Sequence, residues 1–353
     1  MFLQQLSLQN FRSYTKSTFE FKKETTLIVG PNTSGKSNFI EAIYFLSTGK
    51  SFRAQSDSEI IKFGNELARV KGGVGDALIE VMITSGLVAG IKTPFKKYLV
   101  NNVAKRRVDF AGNLTSVLFS PLDLAIITNS PSIRRNFLDD ILEQADRDYR
   151  IASLEYVKAL RQRNALLEIT RETGKRSDRQ FDYWDSVIIK SGNVITAKRT
   201  EFVEFLNTQE KDIFDFAVFY DKSVISKERL EQYKNAEVGA AVTLVGPHRD
   251  DFQLHMYDNK RMATHDVRSF GSRGQQRLAI LQLKILQMLY IEKTKGERPI
   301  LLLDDIFSEL DKGHMELVME LVGKQQTFIT TTHEEFIAKK TIENMHVIEL
   351  NLL

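Results

Sequence analysis

The sequence predicts an α/β fold in which a lobe built on a mixed sheet is interrupted along the chain by a mainly helical second lobe. Three observations support this class. A short apolar strand at 26–29 runs directly into a glycine-rich turn and a helix. The middle of the chain, from about Ser132 to Thr208, contains little glycine and shows helical periodicity. Strands then return after about residue 240.

The length of the chain, 353 residues, exceeds what one hydrophobic core usually fills, so we expect two lobes. The first and last parts of the chain would form one lobe and the middle part the other, with predicted bounds of 1–115, 116–238 and 239–353. A compact helical subdomain is favoured for the middle part, because a protruding coiled coil would need a cleaner heptad repeat over more turns.

Composition excludes several classes of protein. The chain has no cysteine, which rules out disulfides, thiolate zinc sites and cysteine nucleophiles. No stretch approaches the roughly 20 apolar residues that span a bilayer, and the N-terminus lacks the pattern of a secretory signal. We therefore expect a cytoplasmic protein without a membrane partner. The net charge of +3 permits an anionic partner only if the basic residues cluster.

The N-terminal third is predicted to be mostly strands around one helix. Alternating apolar residues predict two half-buried strands before residue 22, and the strand at 26–29 follows. From Lys36 the apolar positions repeat with helical spacing. Short alternating segments with several glycines predict β-hairpins over 57–110.

The C-terminal third is predicted to alternate strands with a helix. The helix is expected from Gln275 to about Tyr290. Four apolar segments predict strands, at Ala241–Val245, Phe252–Met256, Ile300–Leu303 and Thr327–Thr331.

The glycine-rich turn after the first apolar strand fits the pattern G-x-x-x-x-G-K-S, or Walker A. Glycines let backbone N–H groups curl round phosphates, the lysine reaches the β- and γ-phosphates, and the serine hydroxyl binds Mg²⁺. The helix that follows adds its positive dipole end. The predicted ATP-binding residues are Gly30, Pro31, Asn32, Thr33, Ser34, Gly35, Lys36 and Ser37.

A second motif is the apolar strand Ile300–Leu303, which ends in Asp304 and Asp305. Ligands of open α/β sheets lie at the carboxyl ends of strands. Asp304 is therefore predicted to hold Mg²⁺ together with Ser37, and Asp305 to orient or activate the attacking water. Alone such a strand is often only structural, but together with the phosphate loop it predicts ATP hydrolysis.

Three later segments complete the pattern. Ser272, Gly274 and Gln275 form an S-x-G-Q turn that opens a helix, and taken alone such a turn is more often a plain helix N-cap, with Ser272 as the candidate cap. Residues 308–311 read S-x-L-D, and His333 follows the strand that ends at Thr331. Taken alone, His333 is a solvated residue at a helix start, whereas the resemblance described next implies that it is the switch histidine, by order only.

This order of motifs resembles the ABC ATPases of the DNA-repair branch, which includes SMC and Rad50 heads, and within it the RecF family. Further resembling segments are spread over nearly the whole chain, and they are 8–14, 30–41, 50–53, 119–121, 134–139, 246–251 and 301–311. Gly-Pro-His-Arg-Asp-Asp at 246–251 and the double-arginine segment at 134–139 are more specific than the phosphate loop. The resemblance implies an ABC ATPase head with a mainly helical lobe inserted between Walker A and the signature turn.

The resemblance also implies activity and partners. RecF-like proteins act in recombinational repair and replication-fork maintenance, at single-strand gaps and duplex junctions of DNA, where they help RecA load together with RecR and RecO. Two chains would clamp two ATP molecules, each between the Walker A loop of one and Ser272 of the other, in an ATP-dependent homodimer. ABC proteins usually carry Glu at the position of Asp305, and the shorter side chain suggests slow, DNA-stimulated hydrolysis. The glutamine that contacts Mg²⁺ in such proteins has no clear counterpart.

Other classes of ATPase fit less well. A transport motor would need a much shorter stretch between Walker A and the signature turn. An SMC- or Rad50-like head acting as a DNA clamp or chromosome-organising factor stays the alternative, although no long coiled coil is readable in the insertion. An ATPase fused to a nuclease would need a further acidic domain after Asp305.

Basic clusters at 96–97 and 105–107 could track phosphates, but each is more often a solvated loop face. Arg53 and the pair Arg134 and Arg135 have support from the resemblance. The pair could instead form ion pairs with Asp139 and Asp140.

Overall fold

The computed structural model describes residues 2–22, 24–258, 264–306, 312–331 and 345–351. The chain forms two compact units. Unit 1 comprises residues 1–123 and 287–353, and unit 2 comprises residues 124–286.

Unit 1 contains an antiparallel sheet of six strands in the order β2-β1-β4-β5-β8-β9. Alternating apolar residues on its strands face a shared core, as the sequence predicts for half-buried strands. The small hairpin of β6 and β7 lies between β5 and β8 in sequence. The strands are β1 Leu3–Phe11, β2 Tyr14–Glu20, β4 Leu67–Val74, β5 Ala77–Thr84, β6 Leu87–Val88, β7 Ile91–Lys92, β8 Lys96–Val100 and β9 Val103–Lys105.

The second sheet of unit 1 has five strands in the order β10-β14-β15-β3-β16, and all its neighbouring strands run parallel. Its three central strands are fully buried, as expected of a parallel sheet covered on both faces, and they are rich in aliphatic residues and threonine. The parallel and antiparallel strands thus occupy separate sheets of an α/β unit. The strands are β3 Thr25–Val29, β10 Ser116–Phe119, β14 Ile300–Asp304, β15 Thr327–Thr331 and β16 His346–Glu349.

Helix α1, Lys36–Thr48, packs against strands of both sheets and is buried on nearly all sides. Its aromatic residues continue the core: Phe39 contacts Phe19 edge-on at 5.0 Å between ring centroids and Phe328 at 6.1 Å. A helix that is apolar all round belongs in a core. Its N-terminus is therefore held firmly at the end of β3. Unit 1 also contains α2, Arg107–Phe110, and α10, Lys312–Leu321.

Unit 2 is mainly helical, as predicted. Its two longest helices, α5 at Arg147–Thr173 and α6 at Asp178–Thr208, are joined by four residues and pack along each other. The shorter helices are α3 Ala125–Thr128, α4 Pro131–Ala145, α7 Lys227–Ala240 and α8 Val267–Phe270. Three antiparallel strands complete the unit, in the order β11 Phe216–Asp221, β12 Asp251–Tyr257 and β13 Thr264–Asp266. Helix α9, Arg273–Lys295, begins in unit 2 and ends in unit 1.

The strand predicted at Ala241–Val245 is wrong. Ala241 adopts a left-handed φ of 55° after α7, and the segment forms a turn. Its backbone N–H groups find side-chain acceptors instead of a neighbouring strand, since Thr243 N donates to Asn164 Oδ1 at 2.9 Å and Leu244 N to Glu237 Oε1 at 2.9 Å. The strands predicted at 252–256, 300–303 and 327–331 are observed within a residue or so of their expected ends.

The compact units differ from the lobe bounds expected from sequence. Strand β10 pairs with β14, which places residues 116–119 in unit 1. Strand β12 pairs with β11, which places the segment after 239 in unit 2 up to residue 286. Among the described residues, no helix combines the length and the apolar character that crossing a bilayer requires.

Candidate nucleotide-binding site

The Walker A loop lies at the carboxyl end of β3 and leads into α1. Gly30 has φ +157°, and a Cβ atom there would lie 2.4 Å from the carbonyl oxygen of Leu350 and 2.7 Å from Ser34 Oγ. Gly35 has φ +94°, in the left-handed region, directly before the helix. Only glycine fits these two positions without strain. The local backbone therefore requires both glycines of the motif.

Lys36 begins α1 and turns its side chain back over the loop. Its Nζ donates to the carbonyl oxygens of Gly30 at 2.7 Å and Pro31 at 2.9 Å. Burial lowers the pKa of Lys36, and the negative charges of Asp305 and Asp304 oppose that shift. The ammonium group is thus fixed at the mouth of the loop, close to two carboxylates.

Ser37 and Asp304 meet, although they are far apart in sequence. Ser37 Oγ donates to Asp304 Oδ1 at 3.0 Å, and Thr330 Oγ1 donates to the same oxygen at 2.8 Å. Burial raises the pKa of Asp304, and the hydrogen bonds from Thr330 and Ser37 oppose that shift. Thr330 was not anticipated from sequence. It reaches Asp304 because β15 lies between β14 and β3 in the sheet, and no local pattern reveals that order.

Asp305 follows the last residue of β14 and leaves the strand direction. Its φ of 52° is left-handed, and its backbone N–H donates to the carbonyl oxygen of Thr330 at 3.2 Å and to Thr330 Oγ1 at 3.1 Å. A non-glycine residue in this region is held there by its surroundings and is often found at functional sites. The strand end therefore sends Asp304 and Asp305 in different directions.

A group of polar residues beside α1 was only partly anticipated. Arg12 forms a two-pronged ion pair with the fully buried Glu41, at 2.6 and 2.9 Å. Asn38 Nδ2 donates to Ser13 Oγ at 2.8 Å, and the exposed Arg53 donates to Asn38 Oδ1 at 3.3 Å. The charge of Arg53 also opposes the raised pKa of Asp304. Arg53 thus lies on the Walker A side of unit 1.

The donor set of this site fits Mg²⁺ and a phosphate group. Ser37 and Asp304 present a hydroxyl and a carboxylate oxygen 3.0 Å apart, and oxygen ligands are what Mg²⁺ prefers. Mg²⁺ is usually held by one or two carboxylates plus substrate phosphates, and Asp304 supplies one such carboxylate. The Ser34 hydroxyl, buried in the loop, has no hydrogen-bond partner in the part of the chain described.

The signature turn lies in unit 2, and its Ser272 is the N-cap of α9. Ser272 Oγ accepts from Gln275 N at 3.2 Å, and Gln275 Oε1 accepts from Ser272 N at 2.8 Å. This reciprocal pair is a capping box. Ser272, Arg273 and Gly274 are exposed. The predicted S-x-L-D segment at 308–311 and His333 lie outside the described residues.

The basic residues singled out from sequence differ in their interaction partners. Arg134 is buried and pairs with Asp251 at 2.6 Å, and Arg135 donates to the carbonyl oxygen of Asp250 at 2.8 Å. Both therefore have structural partners in unit 2, Asp251 for Arg134 and the carbonyl oxygen of Asp250 for Arg135, and Asp139 also acts on Arg135 electrostatically.

In the two lysine-rich clusters, pairing also differs from residue to residue. Lys96 pairs with Asp57 at 2.7 Å and Arg106 with Asp109 at 3.0 Å, whereas Lys97 and Lys105 are exposed.

The chain is similar to known proteins over nearly its whole length. The family model described as the RecF/RecN/SMC N terminal domain matches residues 2–351. The chain is 33% identical over 363 residues to the DNA replication and repair protein RecF of Moorella thermoacetica, covering 99% of this chain and 94% of that protein. It is 35% identical over 351 residues to the RecF protein of Lachnospira eligens, covering 96% and 94%.

Solved structures agree. A structure of the recombination mediator protein RecF with ATP, in the RecFOR pathway, matches with a TM-score of 0.85 and 31% identity, over 95% of this chain and 93% of that chain. An Smc head domain from Pyrococcus yayanosii matches with a TM-score of 0.53 at 16% identity, which shows the shared fold alone. The chain therefore belongs to the RecF family, with the ATPase-head fold of the RecF/RecN/SMC proteins.

Proposed function

We propose that this protein is an ATP-dependent DNA-binding factor of recombinational repair and replication-fork maintenance in the cytoplasm. It binds single- and double-stranded DNA at gaps, dimerises on ATP, and helps RecA load together with RecO and RecR. The observation that carries the proposal is the contact of Ser37 with the buried Asp304, at 3.0 Å, beside the Walker A lysine. Full-length similarity to RecF proteins supports the pathway.

The phosphate end of ATP is bound by residues of unit 1. The Walker A backbone surrounds the phosphates, Lys36 moves its Nζ from the loop carbonyls to the phosphate oxygens, and α1 directs its N-terminus at them. Ser37 and Asp304 would hold Mg²⁺, which would offset the negative charge that develops on the phosphates during hydrolysis.

Hydrolysis depends on Asp305. The residue stands next to Asp304 but leaves the strand in another direction, so we assign it to orienting a water rather than to holding the metal ion. Its side chain is one carbon shorter than the glutamate of most ABC proteins. We expect slow turnover that DNA stimulates, so that ATP works as a switch and its hydrolysis releases DNA.

Ser272 completes the site in a second copy of the chain. It is exposed at the N-terminus of α9, where backbone N–H groups lack partners within the helix. Such a surface attracts anions. Each ATP would then join two subunits, and dimerisation would depend on the γ-phosphate.

The test is the size of the protein in solution, measured by light scattering with ATP, with ADP and without nucleotide, and then with a gapped duplex. The parent is expected to form dimers with ATP but not with ADP or without nucleotide. Lys36→Ala is expected to lose ATP affinity by at least about 100-fold, because two charge-assisted hydrogen bonds are removed. Ser272→Arg is expected to bind ATP as a monomer but to form no dimers and no stable DNA complex.

Unchanged ATP affinity in Lys36→Ala would refute the nucleotide site. Normal ATP-dependent dimers of Ser272→Arg would refute the shared site even if Lys36 holds ATP. Lys62→Ala is a matched lysine control, since its Nζ bonds to Ser13 and Thr15 rather than to the Walker A loop.

A further inference from the structure

The outer face of the six-stranded sheet is unusually basic. Along its strands the inward residues, such as Leu6, Leu8 and Val70, are buried in the core. The alternate residues point away from that core, because successive side chains of a strand lie on opposite faces. They include four basic residues and two hydroxyls, which we call the basic sheet face: Lys16, Arg69, Lys71, Lys97, Ser7 and Thr18.

Strand register arranges these side chains in rows. Lys16 on β2 pairs with Gln9 on β1, which pairs with Arg69 on β4. Arg69 pairs with Met82 on β5, which pairs with Lys97 on β8. One row thus runs across five strands, a width of about 19 Å at the usual strand spacing.

The neighbouring row contains the remaining donors of the face. Thr18, Ser7 and Lys71 stand side by side on β2, β1 and β4. The hydroxyl oxygens of Ser7 and Thr18 are 3.1 Å apart. Together with Lys16 and Arg69 they line an open groove of about 340 Å³.

Two acids share this face: Glu80, which pairs in register with Lys71 and lines the groove, and Glu20 at the end of β2. The four basic residues exceed them by two. Within the described residues, the side chains of Lys16, Lys71 and Lys97 form no ion pair, and Arg69 approaches only Glu80, at 3.9 Å. Lys96, next to Lys97 but on the other side of β8, is by contrast paired with Asp57 at 2.7 Å. The protein therefore pairs the lysine of the inner side and leaves the outer ones available to a ligand.

We propose that the basic sheet face binds the phosphate backbone of duplex DNA. A duplex carries one negative charge per roughly 1.7 Å of its axis, so a face about 19 Å wide meets many phosphates at once. Lysine, arginine and hydroxyl donors are the side chains that contact phosphates and position a protein on DNA without reading its sequence. This assignment rests on the proposed function, since it locates the DNA contact that function requires.

An acidic protein surface fits the basic sheet face less well. Protein interfaces are centred on large apolar anchors, and lysine is depleted in them. The face offers only half-buried apolar side chains among its charges, such as Met82 and Leu99. Its lysines, which form no ion pair within the described residues, and its two hydroxyls match a phosphate backbone better.

The test is a triple variant, Lys16→Gln, Lys71→Gln and Lys97→Gln, which removes three charges without breaking an ion pair. Arg69 is kept because of its contact with Glu80. Binding to a fluorescent duplex is measured with ATP over a series of salt concentrations. Each lost phosphate contact lowers the slope of log affinity against log salt by about 0.9, so the slope is expected to fall by about 2.7. The matched control removes three exposed lysine or arginine charges of unit 2, by Lys158→Gln, Arg161→Gln and Lys190→Gln.

A lower slope in the triple variant and an unchanged slope in the control support the proposal. An unchanged slope in both, while the parent binds DNA, overturns the proposal and leaves the proposed function intact. Equal losses in both variants also overturn it, because the effect is then one of net charge. If polyglutamate displaces DNA from the parent as well as a second duplex does, the face is a general polyanion surface and its assignment to DNA is wrong. A parent that binds no duplex refutes the proposed function itself.

Discussion

The nucleotide site of unit 1 and the buried ionic network of unit 2 use the same kinds of side chain for opposite purposes. Both bring arginine, lysine, aspartate and hydroxyl groups out of water. In unit 2 these groups satisfy one another. In unit 1 they leave capacity for a ligand, as the unpaired Ser34 hydroxyl and the loop-bound Lys36 show.

The network of unit 2 is centred on Arg199 of α6. Its guanidinium donates to Asp139 at 2.7 Å, to Asp250 at 3.0 Å, to the carbonyl oxygen of Pro247 at 2.8 Å and to the Tyr149 hydroxyl at 3.0 Å. Three of these four partners, Asp139, Pro247 and Asp250, come from the segments 134–139 and 246–251, which are specific to the family resemblance. The two segments therefore contribute to the packing of unit 2.

A second arginine repeats the arrangement. Arg163 of α5 is almost completely buried and donates to Asp185 at 2.6 Å, to Glu237 at 2.6 Å and to Thr243 Oγ1 at 2.9 Å. Buried charges are tolerated when they are paired and hydrogen-bonded. A charged motif that is specific to a family therefore indicates a ligand site only where its side chains are not already fully paired within the protein. Each variant below alters either the nucleotide-binding ATPase or the network of unit 2, and the measurements follow both function and stability.

The largest effect is expected from Asp305→Asn in unit 1. The amide keeps the shape of the side chain but cannot accept a proton, and positioned bases contribute about 100- to 10,000-fold to a rate. ATP turnover should fall by that factor, while ATP affinity and the free energy of unfolding stay close to those of the parent. Steady-state hydrolysis and nucleotide titration measure this, with the exposed Asp76→Asn as control. Turnover equal to the parent would exclude Asp305 from the chemistry.

The opposite pattern is expected from Arg199→Met in unit 2. It leaves Asp139 and Asp250 without their cation, and breaking a buried ion pair in this way costs about 3–5 kcal/mol. The free energy of unfolding, measured in urea, should fall by that amount, whereas the folded fraction should bind ATP with parental affinity. Lys190→Met, on the exposed side of the same helix, is the control. A stability loss below about 1 kcal/mol would mean that the network contributes little.

Sequence reasoning was reliable where the signal is local. The strands at 26–29 and 300–303 are mainly apolar runs, the strand at 327–331 is rich in β-branched residues, and the helix after Lys36 follows from its spacing. Each could therefore be placed from neighbouring residues alone. The segment at Ala241–Val245 has the same apolar character but no strand beside it, because Asn164 and Glu237 take its backbone N–H groups. Its structure depends on α7, which directly precedes it, and on α5, which is distant in sequence and supplies Asn164.

The same limit applies to the site. The spacing of Walker A predicts the loop, and the end of the apolar strand predicts Asp304. Thr330 becomes a partner of Asp304 only through the order of strands in the sheet. The actual partner of Arg134, which is Asp251, lies 117 positions away along the chain. Pairings of this kind follow from tertiary structure, and one sequence does not show them.

The next largest effect is a pH-dependent loss of stability in unit 2, which we expect from His248. His248 bonds to the Tyr156 hydroxyl through Nδ1 at 2.7 Å and to the carbonyl oxygen of Thr243 through Nε2 at 3.0 Å. Burial lowers the pKa of His248 to about 4, and the hydrogen bond to Thr243 opposes that shift. In the unfolded chain the pKa is about 6.5. Between these values the unfolded chain binds a proton that the folded one does not, so stability falls as pH drops from about 6.5 and has lost about 3 kcal/mol near pH 4.

The measurement compares unfolding free energies of the parent and His248→Gln from pH 7.5 to 4.5. Burial raises the pKa of the neighbouring Asp250, which favours the folded state as pH falls and so opposes the histidine. That contribution is common to both proteins, and their difference isolates His248. His265→Gln, at an exposed position, is the control and should follow the parent. Parallel curves for the parent and His248→Gln would contradict the prediction.

The smallest effect on stability, and the sharpest on assembly, is expected from Ser272→Asp. Ser272 has two roles to separate, since it caps α9 through Gln275 N and is proposed to face the γ-phosphate bound by a second chain. Aspartate caps a helix as well as serine does, so the free energy of unfolding should change by less than about 0.5 kcal/mol. Ser272→Ala, which removes the cap, should cost about 1 kcal/mol.

If Ser272 serves only as a cap, the aspartate variant dimerises with ATP like the parent and the alanine variant is the less stable protein. If it also meets the γ-phosphate, aspartate places a negative charge against a negative group, and light scattering with ATP shows monomers of full stability that still bind ATP. If Ser272→Asp forms dimers at the same ATP concentration as the parent, Ser272 acts only as the N-cap of α9.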